Sequence, residues 1–492
     1  MSSTATVGAS AVRSLVVTEL RLHRRHSMLA ATGAMTAVWV VVLLALEPGW
    51  RAEAVRWVLF LELAILGFFF VPALAVIERS NGVTAALRLT RLAPSTALAV
   101  RVAALAVTAL IAAAVVLPVS GLGWPPDVLV AVVLMSSLVS LLAVVMVGRA
   151  TTLTAYMARV PAVAVPLILP ALLYGTGLWQ HRVLTLSPMT GALELLAGRW
   201  SWWTAAWILI WVAGLWVAAV RIGFDVAPRA TGTSTTSPRV WPPASDTYRP
   251  WSAALSLARA DRRTILEDRI LLLLLAGVPI LALAVRWFST TGLAWVGSRY
   301  GVDLTAHLPL IWAFVLVIHT PLMFGAMTGL LFLEDRDAGL FPALATTRST
   351  LSTLLAYRLG ATGVTTAILV MLGLPIAGAH HPAGIVGLVA TGLAAGAVAT
   401  VPAMLLASFA RDRVQGMALT KAMGVPLYVP LAWWFVDGPT GWLFLIIPTA
   451  WTAQSFWAEE ALVAAGFAFG GVTVSVALVA ALAARLRRSI IA

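Results

Sequence analysis

Charged residues recur in the same order at two places in this otherwise apolar chain. When the sequence is shifted by 257 positions, residues 335–368 fall over residues 78–111, and 15 of the 34 aligned positions are identical. Each copy opens with the spacing carboxylate–Arg–x–x–Gly. These residues are Glu78, Arg79 and Gly82 in the first copy and Asp335, Arg336 and Gly339 in the second, where Glu334 precedes the aspartate. A repeat of this length indicates two homologous halves in one polypeptide, each built around the same polar segment.

Each polar segment is predicted to form a short helix parallel to the inner membrane surface, over residues 79–93 and 336–350. The carboxylate would complement the positive N-terminal end of the helix dipole, and an arginine suits the opposite end. The remaining predicted members are the apolar anchors Leu87 and Leu344 and the terminal arginines Arg91 and Arg348. Pro342 falls inside the second helix and would disturb its interior, so the two short helices are not expected to be equivalent.

Two ionisable residues fall inside predicted membrane spans: Glu62 in the second span and His319, 257 positions later, in the eighth. A charged side chain at the centre of a bilayer costs about 2.5–3.5 kcal/mol on insertion scales, so such residues usually face a wet cavity or the bundle interior. One interpretation is that both residues contact a transported substrate. The other is that they satisfy one another as a structural pair.

The sequence carries no recognisable catalytic motif. It has no GxxxxGK[ST] phosphate loop, so the chain does not carry its own P-loop ATPase, and it has neither HExxH nor GxSxG. Cysteine is absent, which excludes thiol chemistry and disulfides. His380 and His381 stand beside Pro382 and are predicted to be solvated loop residues and not metal ligands. We therefore expect no enzyme activity and no cofactor in this chain.

The composition predicts an all-α polytopic membrane protein. Hydrophobic residues make up 61% of the chain, charged residues 11%, and the mean hydropathy is +0.94. Long apolar runs favour helical spans over the short alternating segments of a β-barrel. The predicted spans are 28–46, 55–76, 95–118, 127–148, 160–178 and 204–224, followed by 269–287, 308–333, 354–377, 383–408, 422–436 and 460–484.

Twelve spans would form two pseudo-symmetric six-helix halves, 1–225 and 251–492. Residues 226–250 join them and are rich in Pro, Ser and Thr, which predicts a flexible cytoplasmic linker. All but six of the 33 lysine and arginine residues fall on the same side of these spans. This positive-inside bias predicts that both termini are cytoplasmic. The net charge of +13 is therefore a topology signal and gives no reason to expect nucleic acid as a partner.

These features together resemble the ABC transporter permeases of type 2. The resemblance rests on the carboxylate–Arg–x–x–Gly start, the short helix and the basic span that follows it. It extends to six spans per half, a charged helical approach to each first span, and a proline-bearing loop before each last span, at Pro188 and Pro448. More narrowly, the general character of the chain is similar to that of actinobacterial drug-export permeases.

The resemblance implies that each short helix is a coupling helix that docks into a groove of a separate cytoplasmic P-loop ATPase. The coupling residues would be Glu78, Arg79, Gly82, Leu87 and Arg91, with Glu334, Asp335, Arg336, Gly339, Leu344 and Arg348 in the second half. Two copies of this ATPase would then be present, and they would bind ATP and Mg. The chain would lie in the plasma membrane, in contact with lipid, and export a hydrophobic or amphipathic compound such as a drug, an antibiotic or a lipid.

Two other interpretations remain open. An ion- or proton-coupled secondary transporter can also be built from two parallel six-span halves, and Glu62 is the residue that would favour it. The second is a membrane-bound enzyme or assembly factor, which is disfavoured because the sequence contains no catalytic constellation. The repeated segment could also be an ordinary polar loop that closes a helical hairpin. Co-purification of a P-loop ATPase separates these possibilities.

Overall fold

A computed structural model describes residues 13–19, 21, 28–80, 93–148, 153–225, 269–301, 303–337, 339–341, 351–436 and 438–491. Across these ranges the chain is helical and contains no β-strand. It divides into two compact units, Met1–Val240 and Trp241–Ala492. Each unit is described by itself.

The first unit contains long apolar helices and one short helix. Helical residues 13–19 precede them. The helices are α1 (Met28–Ala45), α2 (Pro48–Ser80), α3 (Pro94–Val119), α4 (Pro126–Gly148), α5 (Leu153–Gly175), the short α6 (Pro188–Leu196) and α7 (Trp202–Asp225). The 33 residues of α2 span about 50 Å at 1.5 Å per residue, so α2 is longer than the roughly 30 Å hydrocarbon core of a bilayer.

The second unit also consists of helices and contains two π-helical insertions. Its helices are α8 (Arg269–Trp287), α9 (Leu293–Tyr300), α10 (Leu308–Trp312), α11 (His319–Asp337), α12 (Leu351–Ile376), α13 (Gly384–Phe409), α14 (Arg413–Tyr428), the short α15 (Pro448–Trp457) and α16 (Ala461–Ile491). The π-helical turns are Phe288–Gly292 and Ala313–Ile318, which make α8–α9 and α10–α11 continuous.

The predicted all-helical, multi-pass class is confirmed. Eight helical stretches among the described residues are long and apolar enough to cross a membrane, and two shorter apolar helices are Met28–Leu44 and Val163–Gly175. The total of twelve spans stays a prediction. The span predicted at 422–436 is misplaced: α14 begins at Arg413 and ends at Tyr428, and a 3-10 helix, Val429–Phe435, follows it. Pro430, which has no amide hydrogen to donate, lies in the first turn after α14.

Small residues allow the long helices of the second unit to approach closely. Gly325 and Gly329, one turn apart on α11, face Ala399 and Ala403 on α13. A methyl group at Gly329 would lie 2.7 Å from Leu406 Cβ, and one at Gly325 would overlap the carbonyl oxygen of Ala399. This small-xxx-small spacing is the usual way in which membrane helices reach backbone contact. It fixes α11, which carries the second polar segment, against the buried helix α13.

The proline-bearing loops before the last long helix of each unit are short helices. Pro188 and Pro448 are the first residues of α6 and α15, where a missing amide hydrogen costs nothing. The side chain of Ser187 caps α6 by accepting a hydrogen bond from the amide of Met189 (3.3 Å). Nearly every residue of α6 is buried, and α15 buries a polar face that includes Thr449. Both short helices therefore belong to the core of their units.

Candidate functional site

The second polar segment begins in the last turn of α11, and its carboxylate Asp335 pairs with Arg358 of α12. The two side chains are only 18% and 19% exposed. The guanidinium carbon of Arg358 also lies 5.8 Å from the centre of the Phe332 ring. Residues 338–350 connect the two helices, so this ion pair joins the entry and the exit of the polar segment.

The neighbours of Asp335 contact different helices, because successive residues of an α-helix point about 100° apart. Glu334 and Asp337, three positions apart on one face, approach Arg413 at the start of α14, with N···O distances of 3.6 Å and 3.0 Å. Arg336 donates to the carbonyl oxygens of Ala410 (2.7 Å) and Ala407.

The two carbonyls that accept from Arg336 lie at the C-terminal end of α13, where helices leave acceptors without intrahelical partners. One turn of α11 thereby contacts α12, α13 and α14. The negative charges stand at the C-terminal end of α11, where the helix dipole disfavours them, and the arginines compensate this cost.

Gly339 ends this helical turn. It has a positive φ of 73°, and its amide donates to the carbonyl of Arg336 at 3.0 Å. Glycine reaches this left-handed conformation without steric cost and is the common residue just beyond a helix end. Phe341 follows and is buried against Phe332, Leu354 and Leu355. The chain thus turns sharply after α11, and the buried side chain of Phe341 anchors the residues that follow the turn.

The first unit contains the same pair at the repeated positions. Glu78, near the end of α2, binds Arg101 of α3, and Arg101 also approaches Glu19 Oε1 at 3.3 Å and 3.4 Å. Glu19 belongs to the helical residues 13–19 that precede α1. Arg101 and Arg358 are each the eighth residue of their helix, and each lies 23 positions after its carboxylate. We call these two contacts the carboxylate–arginine pairs.

The predicted starts of the short helices at residues 79 and 336 need correction, as does the role of the carboxylates at the N-terminal ends of these helices. Arg79 and Arg336 belong to the long helices α2 and α11, and the acidic residues stand at helix C-terminal ends with arginine partners. The arginine partners were missed. The available signal was a repeated arginine inside an apolar helix, which requires a carboxylate nearby. Gly82, Leu87, Arg91, Leu344 and Arg348 lie outside the described residues, as does the side chain of Arg79.

Glu62 and His319 belong to different units, and each has a hydrogen-bond partner inside its own unit. Glu62 is 3% exposed on α2 and accepts a hydrogen bond from Trp39 Nε1 of α1 at 3.2 Å. His319 Nδ1 lies 2.6 Å from the hydroxyl of Tyr428, the last residue of α14. The π-helical turn Ala313–Ile318 ends immediately before His319, and such turns are frequent at functional sites.

The prediction of a solvated histidine pair is wrong for His381. His380 is exposed, but His381 is 8% exposed. Its Nδ1 accepts from the amide of Ala383 (3.1 Å), so Nε2 carries the hydrogen and lies 3.1 Å from both Ser455 O and Thr391 Oγ1. Burial lowers the pKa of His381. Over the described part of the chain, no three His, Cys, Asp or Glu residues are placed to hold a metal ion.

The fold places the chain in the class of multi-pass membrane proteins. Among known proteins, the family described as fluoroquinolones export permease protein Rv2686c-like matches residues 261–483. Fluoroquinolones export permease protein Rv2686c of Mycobacterium tuberculosis (strain ATCC 25618 / H37Rv) is 30% identical over 206 residues, 42% of this chain and 82% of the relative. Fluoroquinolones export permease protein Rv2687c of the same strain is 33% identical over 185 residues, 36% of this chain and 76% of the relative.

The chain belongs to this family of export permeases. Its resemblance to actinobacterial drug-export permeases is confirmed. No solved structure matches the chain at a significant level.

Proposed function

We propose that this chain is the transmembrane permease of an ATP-driven exporter of the ABC type, powered by a separate cytoplasmic ATPase that binds ATP and Mg. The observation that carries the proposal is the pair of repeat-related carboxylate–arginine contacts, Glu78–Arg101 and Asp335–Arg358. A segment that receives force from an ATPase needs a rigid attachment to the spans. Both units have this attachment at the base of the same segment.

One copy of the chain would form a complete transmembrane unit. Each of the two mycobacterial relatives is matched over about the length of one unit. Residues 81–92 and 342–350, which we call the coupling segments, would dock two ATPase copies. The carboxylates Glu78, Glu334 and Asp335 would act from inside the protein, by holding the bases of the coupling segments. Leu87 and Leu344 would be the apolar contacts with the ATPase.

The cargo would be a hydrophobic or amphipathic compound, and the names of the relatives make a fluoroquinolone the first compound to test. Glu62 and His319 would line its path, since each is a polar group set among apolar spans. The termini would face the cytoplasm, where Arg485, Arg487 and Arg488 at the end of α16 follow the positive-inside rule and would contact lipid phosphates.

The proposal is tested by isolating the tagged chain from its native membrane and identifying what accompanies it. We expect a P-loop ATPase, and ATP-dependent uptake of a fluoroquinolone by inside-out vesicles. The double variant Leu87→Asp/Leu344→Asp should lose the ATPase, because a charge replaces each apolar contact. Leu186→Asp is the control: Leu186 is 61% exposed in the 3-10 helix Arg182–Leu186, on the predicted outer side. Equal loss of the ATPase from both variants would contradict the assigned docking surface.

The burial of Glu62 supports a second candidate, a proton-coupled transporter, because a buried carboxylate in a span is the residue such coupling requires. The two candidates differ in their energy source. An uncoupler that dissipates the proton gradient would abolish proton-coupled transport. ATP-driven transport would continue under the uncoupler and stop when ATP is withdrawn.

A further inference from the structure

We propose that Arg101 and Arg358 are positioning residues that transmit motion between the coupling segments and the spans that follow them. This inference rests on the proposed function. It adds two residues that do not contact the ATPase. Each arginine would act by binding the carboxylate on the other side of its coupling segment, so that the entry and exit helices move together.

The first step of the argument is the repetition of the geometry. In both units the carboxylate lies within the last turn of one helix, and the arginine is the eighth residue of the next. The side chains of Glu78 and Arg101 are 15% and 17% exposed, close to the values for Asp335 and Arg358. An ordinary surface ion pair would be exposed and would contribute little to stability.

The second step concerns the surroundings of the arginines. Arg101 lies among the buried residues Leu98, Val102 and Leu105 of its own helix. Replacement of a buried ion pair by apolar side chains is often neutral or stabilising, so stability alone gives no reason for a guanidinium in an apolar helix. A directional contact that fixes the end of one helix against the next helix explains why the guanidinium is present. Both halves of the chain contain this contact.

The third step is the connection of each pair to the rest of its unit. Arg101 reaches Glu19 as well as Glu78, so the helical residues before α1 are joined to the base of the first coupling segment. In the second unit Arg413 approaches Glu334 and Asp337. Arg336 donates to the carbonyls of Ala407 and Ala410. Movement of either coupling segment would therefore pass to several helices at once.

Charge reversal in the complete complex with the ATPase tests the inference. Arg101→Glu should lower stimulation of the ATPase by the permease about tenfold or more, because close charge pairs couple by at least that factor. The double variant Glu78→Arg/Arg101→Glu should recover part of the stimulation, because the pair again has opposite charges, although the new carboxylate at position 101 faces Glu19. Asp335→Arg/Arg358→Asp should behave likewise. Pull-down of the ATPase should stay unchanged in all these variants.

A second measurement covers variants that fold poorly. Arg101→Lys and Arg358→Lys keep the charge, but lysine cannot present a planar guanidinium to two groups, so we expect intermediate coupling. Because the chain has no cysteine, a single spin label can be placed at Thr84→Cys or Thr346→Cys within a coupling segment. In the lysine variants the label should become more mobile, and its response to ATP should shrink.

Arg199→Glu is the matched control, because Arg199, whose side chain is 53% exposed, pairs with Glu194 in the first unit. It should leave coupling and label mobility unchanged. Two results would overturn this inference alone while the ATPase stays bound. In the first, the single charge reversals leave ATPase stimulation unchanged. In the second, the double reversals stimulate the ATPase no more than the single ones. Absence of any bound ATPase from the unmodified chain would overturn the proposed function together with it.

Discussion

The contact between α11 and α13 predicts that Gly325→Ala destabilises the second unit. The added methyl group would overlap the carbonyl oxygen of Ala399, and a backbone atom cannot move aside as a flexible side chain can. Overpacking costs about 1–3 kcal/mol, and the rigid neighbour places this site at the upper end. Alanine offsets about 1 kcal/mol of that cost through its higher helix propensity.

The net expectation is a loss of about 2 kcal/mol, which lowers the melting temperature of a unit of this size by roughly 4–8 °C. Unfolding can be followed in detergent by the fluorescence of the 21 tryptophans. Gly360→Ala on α12 is the matched control, because no atom lies within 4 Å of the position that its methyl group would occupy. That control should keep or slightly raise the melting temperature. If Gly325→Ala were as stable as Gly360→Ala, the close packing of α11 on α13 would be refuted.

Further expectations concern the buried polar groups. Because burial lowers the pKa of His381, its stabilising contribution is complete above pH about 6.5 and is lost as the pH falls below that value through the depressed folded-state pKa. His381→Gln should therefore reduce the difference in melting temperature between pH 7.5 and pH 5.5, whereas His380→Gln should not. Glu62→Gln should change the relative transport of several compounds and leave ATPase stimulation intact; unchanged transport of every compound would remove Glu62 from the path. Tyr428→Phe removes the hydroxyl that bonds His319, so a change of up to about tenfold in transport of the compounds sensitive to His319→Gln is expected in vesicle uptake.

The apolar spans were predictable because their signal is local. Runs of about 20 apolar residues identify a membrane helix without knowledge of its neighbours. The role of Gly339 was predicted wrongly, because the glycine was placed inside a short helix over 336–350, although a glycine after a helical run commonly ends the helix. The burial of Glu62 followed from its position inside such a run.

The partners of the charged residues were not predictable in the same way. Arg336 binds carbonyls of α13, more than 70 positions away in the chain, because the packing of Gly325 brings the two helices together. His381 stands in a sequence typical of a loop, and its burial depends on the space left by Gly387. The short helices that begin at Pro188 and Pro448 have too few residues for a clear period. Each of these features depends on tertiary contacts.

The most direct test of the account is ATP-driven transport by the reconstituted complex. Proteoliposomes that contain the chain and its co-purified ATPase should accumulate a fluoroquinolone only when ATP and Mg are present on the side of the ATPase, and an uncoupler should have no effect. Transport at the full rate by the permease alone would contradict ATP-driven transport. Transport that depends on the proton gradient and not on ATP would also contradict it.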